Sequence, residues 1–241
     1  MTQAPRPIRI DADQFSLDAL DLDPAGFQSA LPVQHYALIF EDEDIGLAVG
    51  IWDTTTMQEV FGPYPGDEFI TVLDGHFAVV DAPGQILAAA KAGDSVTFRN
   101  GTPSSWKQDG YLRKIYLTLQ GPTGAVPDII SAEGSFRVID PASPTKGTPD
   151  ADGTLREMIF RNDAGTMTVT RYAFPAQSLP AAPCPCHRLI RVLQGTLTLT
   201  VPISAPDAYG AGDHVFVPKG TACAMDMAAG TVAVIVDVTA D

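Results

Sequence analysis

Along most of the chain, apolar and polar positions alternate in runs of about four to eight residues, the period of half-buried strands, and almost no stretch keeps apolar residues at helical spacing. The clearest runs are EFITVL (68–73) and HFAVVD (76–81), joined by the tight-turn pair Asp74-Gly75. A third, SVTF (95–98), is entered through Ala92-Gly93-Asp94 and left through Asn100-Gly101. The same succession returns later as HRLIRVLQGTLTLT and HVFV, and its landmarks keep register with the first. Glu68 and Gly75 fall on Arg188 and Gly195 at an offset of 120, and Gly93 and Gly101 fall on Gly212 and Gly220 at 119. Ile39-Phe40 falls on Ile159-Phe160, again at 120, and the closing runs YLRKIYLTL (111–119) and TVAVIVDV (231–238) correspond as well. The pattern predicts an all-β chain, a duplication of whole domains into two tandem jelly-roll β-barrels.

The flanking stretches are less regular. Residues 1–30 predict an arm that packs on a sandwich edge, with a turn at 24–27 (PAGF). Between the repeats, a stretch dense in Pro, Gly, Ser and Asp predicts a linker with one strand, SFRVID (135–140), and helix is expected only in arm and linker. The boundary is drawn near 122–130: arm and first domain over 1–125, linker strand and second domain over 126–241.

Composition narrows the partners. A formal net charge of −14 without clustered Lys or Arg argues against nucleic acid or an anionic membrane. No run approaches the roughly 20 apolar residues of a membrane span, and the N-terminal residues hold no apolar signal-like run, so a cytoplasmic protein is expected. Three cysteines, an odd number, argue against a disulfide framework. The expected partner is a small-molecule ligand, and a homodimer stays open.

The spacings Glu68-x6-Gly75 and Gly93-x5-Arg99-x-Gly101, with Gly212-x5-Pro218-x-Gly220 in the second copy, resemble the two cupin motifs, G-x5-H-x-H-x3,4-E-x6-G and G-x5-P-x-G-x2-H-x3-N. YPGDEFITVLDG, AGDSVTFRNGTPSSW and RKIY are similar to the ureidoglycine aminohydrolase type, and the likeness spans both copies, as in a bicupin. The resemblance implies a metal held by three His and one Glu. At those positions this chain has Gly62, Tyr64, Glu68 and Ser104, then Ala182, Cys184, Arg188 and Cys223. No ordinary cupin metal site is therefore expected, and no cofactor. Zn or another thiophilic metal in the second domain is the alternative.

Strand alternation places side chains i, i+2 and i+4 on one face. If Glu68 points inward, so do Tyr64, Ile70 and Val72, and in the second copy Cys184, Cys186, Arg188, Ile190 and Val192. Ser104 and Trp106 align with Cys223 and Met225. Candidate ligand-binding residues are then Tyr64, Glu68, Ser104, Trp106, Lys114 and Arg188, and candidate thiol-site residues are Cys184, Cys186 and Cys223. Lys114 alternates with Ile115 and Leu117, and the pattern leaves open which set faces inward. Three readings follow: a metal-free binder of a small polar or acidic metabolite, a metal-dependent ureidoglycine aminohydrolase-like enzyme, and a structural or partner-binding protein. Catalytic residues are not assignable from the sequence.

Overall fold

A computed structural model describes residues 4–120 and 125–239. It divides into two compact units: Ala12–Ser143, and a second built from Pro144 onward together with the described residues up to Asp11. Both are antiparallel β throughout. Among the described residues, helix is limited to two 3-10 turns in the arm, Ala12–Gln14 and Pro24–Gly26. No helix there is long and apolar enough to cross a membrane.

In the first unit the larger sheet runs in the order Phe136–Ile139, Ser95–Phe98, Asp67–Asp74, Leu112–Leu119, Leu47–Thr54, Gln34–Asp42, Asp18–Ala19. A smaller sheet carries Met57–Gln58, Pro103–Gln108, His76–Val80 and Ile86–Lys91. In the second unit the larger sheet runs Ile8–Arg9, His214–Val217, His187–Gln194, Thr231–Val238, Met167–Phe174, Leu155–Arg161. Its smaller sheet runs Gln177–Pro183, Ala222–Met227, Leu197–Thr200, Asp207–Tyr209. The central four strands of the larger sheets correspond one to one. So do the turns that feed them: Gly75 (φ +78°) and Gly195 (φ +76°) both adopt the left-handed conformation, and a Cβ at Gly75 would fall 2.2 Å from the Tyr111 carbonyl oxygen. Only glycine fits such a turn.

The edges differ from the sequence-drawn division. Phe136–Ile139, expected to open the second domain, instead pairs with Ser95–Phe98 and completes the first unit, so the units part at Ser143/Pro144 rather than 125/126. The equivalent edge of the second unit is filled by Ile8–Arg9 from the N-terminal arm, which pairs with His214–Val217. An edge strand leaves backbone donors and acceptors unmet, and any nearby extended segment that pairs there satisfies them. Part of the proposed 122–130 boundary, residues 122–124, lies outside the described residues.

Inward-facing residues of the two sheets form each unit's core. In the first it is rich in aromatics, Tyr64, Phe77, Phe98 and Trp106 with Ile70, Val72 and Leu112. In the second it is aliphatic and sulfur-bearing, with Cys184, Cys186, Ile190, Val192, Val217 and Met225.

Candidate functional site

Glu68 is the second residue of Asp67–Asp74 and faces the barrel interior with Ile70 and Val72. Lys114 is the Cα partner of Val72 on one side and of Trp52 on the other, which puts its side chain on the same inner face. The alternation left open by the sequence is thereby decided: Lys114 Nζ donates to Glu68 Oε1 at 2.9 Å, and the two side chains are only 11% and 8% exposed. The other carboxylate oxygen accepts the Tyr64 hydroxyl. Tyr64 is held by reciprocal backbone bonds, its N–H to the Thr102 carbonyl at 2.8 Å and its carbonyl from the Gly101 N–H at 2.9 Å. Its ring stacks on Phe98 at 4.3 Å between centroids. Burial, reinforced by the Glu68 carboxylate, pushes the Tyr64 phenol well above its ordinary value, so it remains a proton donor.

Aromatic walls enclose the pair. Lys114 Nζ lies 5.0 Å from the ring centroids of both Trp52 and Trp106, within cation–π reach. Trp106 stacks on Phe77 at 3.7 Å and meets Trp52 edge-on at 6.2 Å. Its indole N–H donates to Gln108 Oε1 at 2.8 Å and is therefore not a partner of Glu68. Ser104 is buried opposite Gly62, two residues before Trp106, and makes no hydrogen bond to Glu68 among the described residues. Tyr116 shares the inner face with Lys114 as the Cα partner of Ile70 and Gly50. A Cβ at residue 50 would come within 2.6 Å of the Tyr116 hydroxyl, so Gly50 makes room for that ring. Burial, with the charge of Glu68, pushes the Tyr116 phenol up to about 12.

A second carboxyl joins them. Glu59 is tied to the Trp106 strand, its N–H to the Trp106 carbonyl at 2.9 Å, its carbonyl from the Ser105 hydroxyl at 2.6 Å, and its carboxylate from the Trp106 N–H. Burial pushes the Glu59 carboxyl up to about 7, opposed by Lys114 and reinforced by Glu68. The interior thus combines one ammonium, one carboxylate and one carboxyl that titrates near neutrality, a set able to neutralise, orient and exchange a proton with a polar guest. Sequence reasoning missed Glu59, Trp52 and Tyr116. The alternation of Tyr116 with Lys114 was an available signal. Glu59 lies in the segment TTTMQEVF, which has no clear alternation to mark it.

In the second unit Arg188 grips Asp237, its Cα partner, through Nε to Oδ1 at 2.6 Å and Nη2 to Oδ2 at 3.0 Å. Asp237, a lone acid in the apolar run TVAVIVDV, was legible but not singled out. Cys184 occupies the place of Tyr64 with the same backbone bonds, to the Thr221 carbonyl and from the Gly220 N–H, both 2.8 Å. Cys186 Sγ lies 3.4 Å from Asp237 Oδ1 as a donor, and Cys223 packs half-buried against the same core. Arg188 and the three thiols therefore share one barrel, separate from Glu68, Tyr64, Trp106 and Lys114.

Neither donor set suits a cupin metal. Around Glu68 the positions that the family fills with imidazole hold Gly62, Tyr64 and Ser104, and the Lys114 ammonium already sits on the carboxylate where a cation would bind. In the second unit the fixed charge of Arg188 stands beside the thiols. Among the described residues no three His, Cys, Asp or Glu gather as a metal would require.

Residues 43–116, which contain Glu59, Glu68 and Lys114, match the family model of the EutQ-like cupin domain. No curated protein matches the chain. Its solved-structure neighbours include a DUF861-family protein of unknown function from Pseudomonas syringae pv. tomato, with TM-score 0.70, 19% identity and coverage of 98% of this chain and 100% of that one. A cupin 2 conserved barrel domain protein from Leptotrichia buccalis aligns at TM-score 0.60 and 12% identity over 99% and 98%. Streptomyces albus HEPD, solved with 2-hydroxyethylphosphonate and Fe(II) bound, aligns at 0.55 and 11% over 99% and 77%. At these identities the likeness is one of fold. The chain has the cupin-barrel fold, and its residues 43–116 match a cupin-family domain.

Proposed function

We propose that the protein is a bicupin whose first barrel binds a small polar or acidic metabolite without a metal, through Lys114, Glu68 and Glu59 between the faces of Trp52, Trp106 and Tyr116. The observation that carries this reading is the Glu68–Lys114 pair, nearly closed off from solvent inside an aromatic core. Desolvating two charges costs several kcal/mol per ion, on the order of what their attraction returns, and apolar residues of similar volume would hold the barrel as well or better by about 1–4 kcal/mol. A pair kept at that cost, beside a second carboxyl, fits recognition better than packing. A guest carboxylate or amide oxygen would take the free valences of the Lys114 ammonium, and a guest donor would take Glu59.

The test is a thermal-shift screen of acidic and zwitterionic metabolites against the wild type and Glu68→Gln, which keeps the shape and removes the charge. At 100 times Kd a ligand stabilises by about 2.7 kcal/mol, a readily seen shift. A hit lost in Glu68→Gln supports the reading. A hit unchanged in that variant, or no hit together with a clearly more stable Glu68→Gln, makes the pair a structural relic. The metal-dependent aminohydrolase reading would instead require stoichiometric metal in the purified protein.

A further inference from the structure

We propose that Cys184 and Cys186, in the second barrel, form a dithiol redox site that is oxidised by hydrogen peroxide to an intrachain disulfide. This stands apart from the ligand reading of the first barrel. Both side chains lie in one buried cluster, close enough for each thiol to shift the proton affinity of the other. Residues two apart in a fully extended chain lie about 6.6–7.2 Å apart at most, and a disulfide needs Cα atoms about 4.4–6.8 Å apart. The chain bends at Pro185-Cys186, which brings the two toward that range.

The surroundings give the two sulfurs different roles. Asp237 accepts the Cys186 S–H at 3.4 Å, and Asp237 is itself clamped by the bidentate Arg188. That carboxylate disfavours charge on Cys186 and keeps its proton in place. The neighbouring Cys186 thiol, then the Arg188 guanidinium, draw the Cys184 thiol down to about 6 against the opposing effect of burial, while Cys186 is held up. Cys184 is therefore the thiolate at neutral pH, near the optimum for an attacking sulfur. Cys223, adjacent to the pair, is pushed up by burial and remains a thiol. The strand leading into Cys184, Gln177–Pro183, is exposed from Ser178 onward, so the cysteine, itself 9% exposed, stands at the end of a solvent-facing strand.

The steps balance. The Cys184 thiolate attacks one oxygen of the peroxide, the O–O bond breaks, and hydroxide leaves, giving a sulfenic acid at Cys184. Cys186 sulfur then attacks the Cys184 sulfur, its proton passes to the departing hydroxyl as water, and the S–S bond closes. The hydroxide takes up the proton that Cys184 had released to solvent, so two thiols are oxidised and one peroxide is reduced to two waters. An external dithiol restores the reduced pair.

The experiment treats the folded full-length protein with stoichiometric hydrogen peroxide, then alkylates and digests it with trypsin. Arg171 and Arg188 bracket both cysteines in one peptide, and Cys223 falls in another, beyond Lys219. The expected result is that the 172–188 peptide loses two hydrogens and both alkylation sites, reversibly with dithiothreitol, while Cys223 is alkylated as before. Cys186→Ser should stop at a dimedone-reactive Cys184, and Arg188→Met should slow oxidation several-fold at pH 7. Thiols of the wild type that resist peroxide until the protein is denatured, or a disulfide that joins Cys223, would overturn the proposal. Because the decisive readout is on the wild type, a variant that fails to fold does not blunt it.

Discussion

Glu68 in the first barrel and Arg188 in the second stand on corresponding strands, 120 residues apart. Glu68 ignores its direct cross-strand neighbour Thr118 and reaches along the sheet to Lys114, whereas Arg188 clasps its direct neighbour Asp237. The first pair is deep among rings; the second keeps about a quarter of each side chain exposed, 25% and 23%. The lining follows the same division. Tyr64, Phe77, Phe98 and Trp106 occupy the places taken by Cys184, Leu197, Val217 and Met225. One strand plan therefore supports an aromatic box around a buried ion pair and a sulfur-lined core beneath a quarter-exposed one. Barrel geometry determines which positions converge, and residue identity at those positions determines what convergence is used for.

The sharpest way to break this contrast is to remove one partner from each pair. Lys114→Met leaves the Glu68 carboxylate buried with only the Tyr64 hydroxyl, and urea denaturation should show a loss of about 3–5 kcal/mol. Arg188→Met, in the wetter pair, should lose less than about 2 kcal/mol. The double variant Glu68→Leu/Lys114→Leu should return to wild-type stability or exceed it, since it removes the desolvation cost along with the attraction. Equal losses in the two single variants would mean that the barrels do not differ in the way described.

Truncating the linings gives a second, somewhat smaller contrast. Trp106→Ala removes a ring stacked on Phe77 and should cost about 3–4 kcal/mol, within the usual range for buried aromatics. Met225→Ala, at the matching position, makes a smaller hole among flexible side chains and should cost about 2 kcal/mol.

A third contrast is the dependence of stability on pH, and its sign should differ between the barrels. Glu59 binds its proton more tightly folded than unfolded, about 7 against an ordinary 4.5. Its contribution is full below about 4.5 and is lost as pH rises through 7. Cys184 binds its proton less tightly folded, about 6 against an ordinary 9.0. Its contribution is present above 9.0 and is lost as pH falls through 6. Melting temperature against pH should therefore flatten between about 4.5 and 7 in Glu59→Gln, and between about 6 and 9 in Cys184→Ser. If both variants flattened the same window, one of these assignments would fail.

Much of the architecture was readable from pattern. Period-two alternation, the Asp74-Gly75 turn and its Gly195 counterpart, and the constant offset between copies each have a local cause, and so survive in a one-dimensional string. Glu68 with Tyr64 was legible because the two are only four residues apart, although the stretch between them turns at Gly66 rather than running as a strand. The edge strands were not. Ile8–Arg9 and Phe136–Ile139 are short, weakly patterned pieces whose partners lie far along the chain, and which barrel each joins depends on which edge is vacant.

What the chain determined by itself was the all-β class, the repeat and the inward set of the strand that carries Glu68, Ile70 and Val72, since these rest on steric rules that act over a few residues. Only the tertiary structure decided that Lys114 rather than Trp106 completes Glu68, that Glu59 joins them, and that Asp237 ties Arg188 to the thiols. Those choices depend on side chains from strands tens of residues apart meeting in one desolvated volume, where burial and neighbouring charge decide partner and proton together.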